Sequence, residues 1–339
     1  MNSNRSNARL TRRVLAVVAA TGVVAALAAC SSSSSASSPE AASDEVVSLT
    51  VGAAPSIFST AMHLGVNEGI FEDAGFDVTI QPIQSMSEGI PLLLQGTAQY
   101  IVGDVQNTIL AGSEDVPIAI GAPSTVTATE TPEDNIGFGA LLALEDSVIE
   151  SVEDVEGKTI GTNTIGGDAY MSYLQLFEEE GVDTSTINWV EIPGPQLLPS
   201  LRQKQVDAVT IGEPNLTVAR LEGGVKTVAN ADAVMNGAPQ FAWLASQQWL
   251  GENADVAKRF QAAVIEANEL AASDRAKAEE ALASYTELPP EVISEVYFPH
   301  FSGTPITPGD LETTVDRMIK YELITEDEVP DLTALVPTL

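Results

Sequence analysis

Asp104 and Glu213 are the side chains with the clearest capacity for chemistry in this sequence. Each follows a glycine at the end of a short apolar run, in Val102-Gly103-Asp104 and Ile211-Gly212-Glu213. Two carboxylates converging on one site suit an ammonium group, an amino-heterocycle or sugar-like hydroxyls. The alternatives are that Asp104 N-caps the helix running into Gln106-Asn107 and that Glu213 is a surface carboxylate. Asn163-Thr164-Ile165-Gly166-Gly167-Asp168 is the second candidate. Its glycines allow the backbone close to a ligand. The free first amides of a helix starting near Asp168 favour a carboxylate, a sulfonate or a ring carbonyl. Against this stands Asp168 as the cap of its own helix, with Gly166-Gly167 as a plain turn. Tyr170, one turn further in, either stacks on a flat ligand or joins the core.

Catalysis would need a positioned base and, for covalent chemistry, a nucleophile. The two histidines, His63 and His300, are far apart and have no second histidine or cysteine at metal-ligand spacing. Both read as structural, and Trp189, Trp243 and Trp249 read as core. No G-x-S-x-G, H-E-x-x-H or phosphate-loop pattern is present. The expectation is a protein that is not an enzyme and uses no cofactor and no metal. A net charge of −33 repels polynucleotides, which removes nucleic acid from the partners. Such a charge otherwise reads as a solvated acidic surface.

The elements that must hold these residues follow from hydrophobic patterning. Val47, Leu49 and Val51 alternate as a strand. A helix over 61–74 is closed by Gly75, a strand follows over 76–83, and a helix over 88–95 is closed by Gly96. Strands at 100–102 and 117–120 complete a βαβαβ grammar, which implies a mostly parallel sheet flanked by helices. The grammar recurs after Lys158: strand 159–161, helix 168–180 closed by Gly181, strand 189–192, helix 196–203, strand 208–211. Details match as well. Phe71-Glu72-Asp73-Ala74-Gly75-Phe76-Asp77 parallels Phe177-Glu178-Glu179-Glu180-Gly181-Val182-Asp183, and Gln95-Gly96-Thr97 parallels Gln203-Lys204-Gln205. Two similar α/β lobes are predicted.

A strand at 242–245 and helices at 255–272, 275–285 and 291–297 follow, and a last helix opens at Thr307-Pro308-Gly309-Asp310. This tail is expected to pack back on the first lobe. Lobe 1 is then 46–125 with 236–339 and lobe 2 is 126–235, with crossings near 123–137 and 228–240. In such open sheets, ligands sit at the carboxyl ends of the strands. That rule adds Pro55 and Ser56, and Ser85 and Met86, to Asp104, Asn163, Thr164, Gly166, Gly167, Asp168 and Glu213. No arginine or lysine lies in these loops apart from Lys158 at a strand start. Asn215-Leu216-Thr217 is a chance sequon.

The N-terminus has its own chemistry. Arg5, Arg9, Arg12 and Arg13 precede an apolar run over 14–27 that is too short for a stable membrane span. It ends in Leu27-Ala28-Ala29-Cys30, which resembles the bacterial lipobox. The implied leader is 1–29, with Cys30, the only cysteine, as the lipid-attachment site. Thr11-Arg12-Arg13 hints at twin-arginine export. The serine-rich segment 30–45 reads as a tether.

From about Leu49 to Leu282 the sequence resembles the type 2 periplasmic-binding-protein fold, in particular its nitrate/sulfonate/taurine and thiamine-pyrimidine group. Three stretches carry the likeness: Gly69-Ile70-Phe71-Glu72-Asp73-Ala74-Gly75-Phe76-Asp77-Val78, Ser151-Val152-Glu153-Asp154-Val155-Glu156-Gly157-Lys158-Thr159-Ile160-Gly161, and Gln205-Val206-Asp207-Ala208-Val209 leading to Glu213-Pro214. The resemblance implies two lobes around a ligand cleft. It also implies a monomeric, extracytoplasmic receptor that hands a small solute to an ABC permease and its ATPase subunits. Through Cys30 it would be anchored on the outer face of the membrane. The solute would be taurine- or sulfonate-like, or an amino-heterocycle such as a thiamine pyrimidine precursor. The lack of a loop cation tilts away from nitrate and simple sulfonates. The competing readings are an extracytoplasmic sensor or scaffold and, behind it, a pyrimidine-synthase-like enzyme on the same fold.

Overall fold

The computed structural model describes residues 46–131 and 137–339. The leader, Cys30 and the tether lie outside them. Two sheets with flanking helices make up the described chain. Strands β1 (Val47–Ala53), β2 (Phe76–Pro82), β3 (Tyr100–Asp104) and β4 (Ile118–Val126) belong to the first sheet. Strands β5 (Gly139–Leu144), β6 (Thr159–Thr162), β7 (Asn188–Glu191), β8 (Ala208–Gly212) and β9 (Val225–Ala229) form the second. The chain then returns to the first sheet with β10 (Pro239–Ser246) and the short edge strand β11 (His300–Phe301).

The strand orders are β2-β1-β3-β10-β4-β11 and β7-β6-β8-β5-β9. They are the same pattern. In each sheet one strand arriving from the other sheet is inserted antiparallel, β10 between β3 and β4 and β5 between β8 and β9; the other strands run parallel except the short edge strand β11, which is antiparallel to β4. The registers agree too. Val47 pairs with Phe76 as Thr159 pairs with Asn188, and Gly52 pairs with Ile101 as Gly161 pairs with Val209. A Cβ on Gly52 would meet Ile101 and Ile83 at 3.0 and 3.3 Å; one on Gly161 would meet Ile192 and Val209 at 3.0 and 3.2 Å. Both strands need a bare backbone there so that side chains can close over the sheet.

Both sheets are buried on both faces, as parallel sheets are. In the first, Tyr100, Val102 and Trp243 face one apolar cluster, while Ile101, Ala242 and Leu244 face another. In the second, Leu141, Ala143 and Ile160 oppose Ala140, Leu142 and Val209. This leaves Trp243 1% exposed, in the core as expected.

Several elements differ from the sequence expectation. The helix read over 61–74 is two helices, Thr60–Asn67 and Ile70–Asp73, because Gly69 takes a left-handed φ of 78° and breaks it. The helix read from 88 begins earlier, as Met86–Leu94, with Ser85 as its cap. The helix read over 291–297 shrinks to Pro290–Ile293. Strands β5 and β9 and the helix Asn215–Glu222 are additional, and helix Val105–Ser113 is the one that Asp104 caps in the alternative reading. The C-terminal start holds: the Thr307 and Asp310 side chains form a capping box, and helix Glu312–Lys320 follows the short turn Pro308–Leu311. Val315 and Met318 bury that helix in a cluster with Ile101, Val105 and Ile109, which also holds Met171.

Candidate functional site

A cavity of about 460 Å³ opens where the ends of both sheets face each other. Of the residues selected from the sequence, Asp104, Asn163, Thr164, Gly167, Asp168 and Glu213 line it. Pro55, Ser56, Ser85, Met86, Gly166 and Tyr170 are not among the lining residues. Five of these, all but Pro55, have other partners. Ser56 receives the Tyr285 hydroxyl on its carbonyl at 3.0 Å, and its neighbour Phe58 reaches the cavity instead. Ser85 Oγ accepts from the Glu88 amide at 3.3 Å as a helix cap. Met86 packs against the cluster of Ile83 and Ile101. Tyr170 meets Trp189 edge to face at 4.8 Å. Gly166 presents its carbonyl to Gln106 Nε2 at 2.9 Å.

The two matched carboxylates are both turned to the helix that follows. Asp104 Oδ1 accepts from the Asn107 amide at 2.8 Å and Oδ2 from the Asn107 side chain at 3.0 Å. Glu213 accepts from the Thr217 amide at 3.0 Å, the Thr217 hydroxyl at 2.8 Å and the Tyr297 amide at 3.1 Å. Glu213 is only 8% exposed, so it is not a surface carboxylate. Burial pushes its pKa up against the pull of those donors. Asp168 does not cap its own helix: Gly167 holds the N-cap position of Asp168–Glu179 without a side-chain bond.

Three features of the cavity were not predicted. The first is an arginine. The Arg317 guanidinium, from helix Glu312–Lys320, is 4% exposed, donates to Ser172 Oγ at 2.8 Å and is ion-paired with Asp168. The loops do lack a cation, but one arrives from an element outside the repeated sequence. The second is Asp232, just past β9, whose carboxylate accepts from the Gly139 amide at 3.1 Å and the Asn230 side chain at 3.4 Å. Burial raises its pKa as well. Strand-tip logic would have selected Asp232 had β9 been recognised. The third is an aromatic wall: Phe58 stacks on Phe241 at 3.8 Å and lies 4.8 Å from Phe138.

The histidines diverge. His63 stacks on Tyr285 at 3.7 Å with planes 7° apart, a packing role. His300, read as structural, is exposed and lines the cavity. Gln106 is 8% exposed, and its Oε1 is buried without a hydrogen-bond partner. Among the described residues, no group of three or more His, Cys, Asp or Glu side chains is placed to hold a metal.

The cavity therefore combines acceptors, one paired guanidinium and an apolar wall, and residues of both sheets supply it. A family model described as NMT1/THI5 like matches residues 58–278. A protein of Escherichia coli (strain K12) named for binding aliphatic sulfonates is 25% identical over 224 residues, 65% of this chain and 68% of its own length. The crystal structure of the periplasmic aliphatic sulphonate binding protein of E. coli superposes with a TM-score of 0.67 at 20% identity, over 86% of this chain and 94% of that one. The periplasmic nitrate-binding protein of Synechocystis PCC 6803 does so with a TM-score of 0.62 at 13% identity, over 84% of each chain. These structures share the two-lobed fold.

Proposed function

Because the chain belongs to the NMT1/THI5-like family, we propose that it is the solute-binding component of an ATP-driven importer, holding a small organic solute in the cleft and releasing it unchanged. Residues 46–125 with 236–339 form one lobe and 126–235 the other. The solute favours the closed arrangement through its differential affinity for it. Cys30 carries the lipid that keeps the receptor at the outer membrane face.

The solute is an amine- or amide-bearing molecule with a flat or apolar part. One observation carries this reading. Asp104, Glu213 and Asp232 line the cavity with no ion pair described for any of them, while Arg317 is paired to Asp168. An ammonium or amino group would meet the carboxylates and the unpartnered Gln106 Oε1, and its apolar part would lie on Phe58, Phe138 and Phe241. A second reading, a taurine- or sulfonate-like solute, is favoured by Arg317 and Ser172 beside the first turn of helix Asp168–Glu179.

Thermal shift with a panel of amines, amides, amino-heterocycles and alkanesulfonates separates the two, since a ligand bound only by the folded protein raises Tm by mass action. An amine-bearing member is expected to raise Tm in the wild type and to lose its effect in Asp232→Asn. A response confined to sulfonates and unchanged in that variant would overturn the amine assignment.

A further inference from the structure

We propose that helix Glu312–Lys320 is a latch across one flank of the cleft, and that Arg317 is the positioning residue whose bonds to the opposite lobe set how far the balance favours the shut cleft. The inference rests on the solute-binding reading for its purpose, but its test needs no solute.

Val315 and Met318 root the helix in a cluster with Ile101, Val105 and Ile109, and Met171 of helix Asp168–Glu179 is buried in the same cluster from the opposite side of the seam. The exposed side of the latch helix does not face solvent alone. Arg317 reaches Asp168 and Ser172 on helix Asp168–Glu179 of the second lobe. Lys320 Nζ donates to Glu178 Oε2 at 2.5 Å, and the Tyr321 hydroxyl reaches the same oxygen at 3.2 Å. Positions 317, 320 and 321 share one helical face, so the three side chains meet the partner helix along its length. Beside them, Gln106 donates to the Gly166 carbonyl at 2.9 Å, and a Cβ on Gly166 would stand 3.7 Å from Leu323. The contacts form one continuous seam.

Arg317 is 4% exposed, with Nε buried and unpartnered and its other nitrogens on Asp168 and Ser172, so opening exchanges these bonds for water. The Lys320–Glu178 pair is half exposed, where such pairs contribute little individually. A seam of this kind biases the open–closed balance by a modest factor, which a solute then completes. Apparent affinity scales with the fraction of protein in the competent state, so the latch acts on affinity without touching the solute. Residues 58–278 match the family model, and the latch helix lies beyond them.

The test measures interlobe distance in the purified protein by pulsed electron spin resonance, with spin labels at Gln95→Cys and Gln196→Cys, both exposed and on opposite lobes. Without any solute, the unmodified latch is expected to give a predominantly short distance. Lys320→Glu and Glu178→Lys should each raise the long-distance fraction about two- to fivefold, and the double charge swap should restore the short distance. Arg317→Met should raise the long-distance fraction about tenfold or more. Distances unchanged in Arg317→Met, or a double swap no better than the single variants, would overturn the latch. Because Lys320 and Glu178 are surface residues, the swap remains decisive even if Arg317→Met fails to fold. A failed solute screen would sink the binding assignment and leave these distances unaffected.

Discussion

Asp104 and Glu213 stand at equivalent ends of β3 and β8, and each directs its carboxylate to the first turn of the next helix. The position is a structural one in both lobes before it is anything else. Asp104 satisfies Asn107; Glu213 satisfies Thr217 and, in addition, the Tyr297 amide contributed by the C-terminal part of the chain.

Glu213→Ala should therefore destabilise the fold. It leaves the Thr217 and Tyr297 amides without their acceptor and the Thr217 hydroxyl with only the Glu295 carbonyl at 3.4 Å, in a buried setting, a loss of about 2–3 kcal/mol. Urea unfolding would report it as a lower midpoint with an unchanged slope. A solute response lost in Glu213→Ala would not by itself identify a ligand contact, whereas Asp232→Asn keeps an acceptor for Gly139.

His63 supplies a pH dependence. Burial against Tyr285 lowers its imidazole from 6.5 to about 4. Between those values the unfolded chain binds a proton that the folded chain refuses, so stability is full above 6.5 and is lost as pH falls towards 4. His63→Phe keeps a ring on Tyr285 and removes the titration. Chemical denaturation across pH 4–7 should show a flatter profile for the variant, and parallel profiles would refute the assignment.

Much of the fold was legible because its signals are local. Gly75 and Gly181 close matching helices at the same φ of 81°, and the apolar alternation at 100–102 and 208–211 marks β3 and β8. Of the inserted strands, β5 was not read and β10 only over 242–245, because their partners lie far away in sequence and both faces are buried, which erases the period-two pattern. The site was half legible for the same reason. Strand tips in the repeated grammar were found, including Asn163, Thr164 and Asp168. Asp232 followed an unrecognised strand, and Arg317 reaches the cleft from a helix with no counterpart in the other lobe. Ser56 and Ser85 were chosen by position, and local bonding turned them to other tasks.

The repeat also exposes an imperfect match. Gly96 and Lys204 end equivalent helices with φ of 71° and 56°, a left-handed geometry that costs a lysine about 1 kcal/mol. Lys204→Gly removes that strain and also the exposed pair with Asp146 at 2.9 Å, which contributes under about 1 kcal/mol. A net gain of about 0.5 kcal/mol is expected, read as a small rise in the urea midpoint; a fall would show that the surface pair outweighs the backbone.

The inserted strands have a consequence for biogenesis. As the chain emerges, β3 and β4 cannot lie side by side, because the slot between them belongs to β10, which appears only after every strand of the second sheet has been made. The N-terminal half is thus the earlier to be synthesised and the later to be finished. Non-local pairings of this kind delay folding, so a ribosome stalled before residue 239 would carry a nascent first sheet with a gap through its middle.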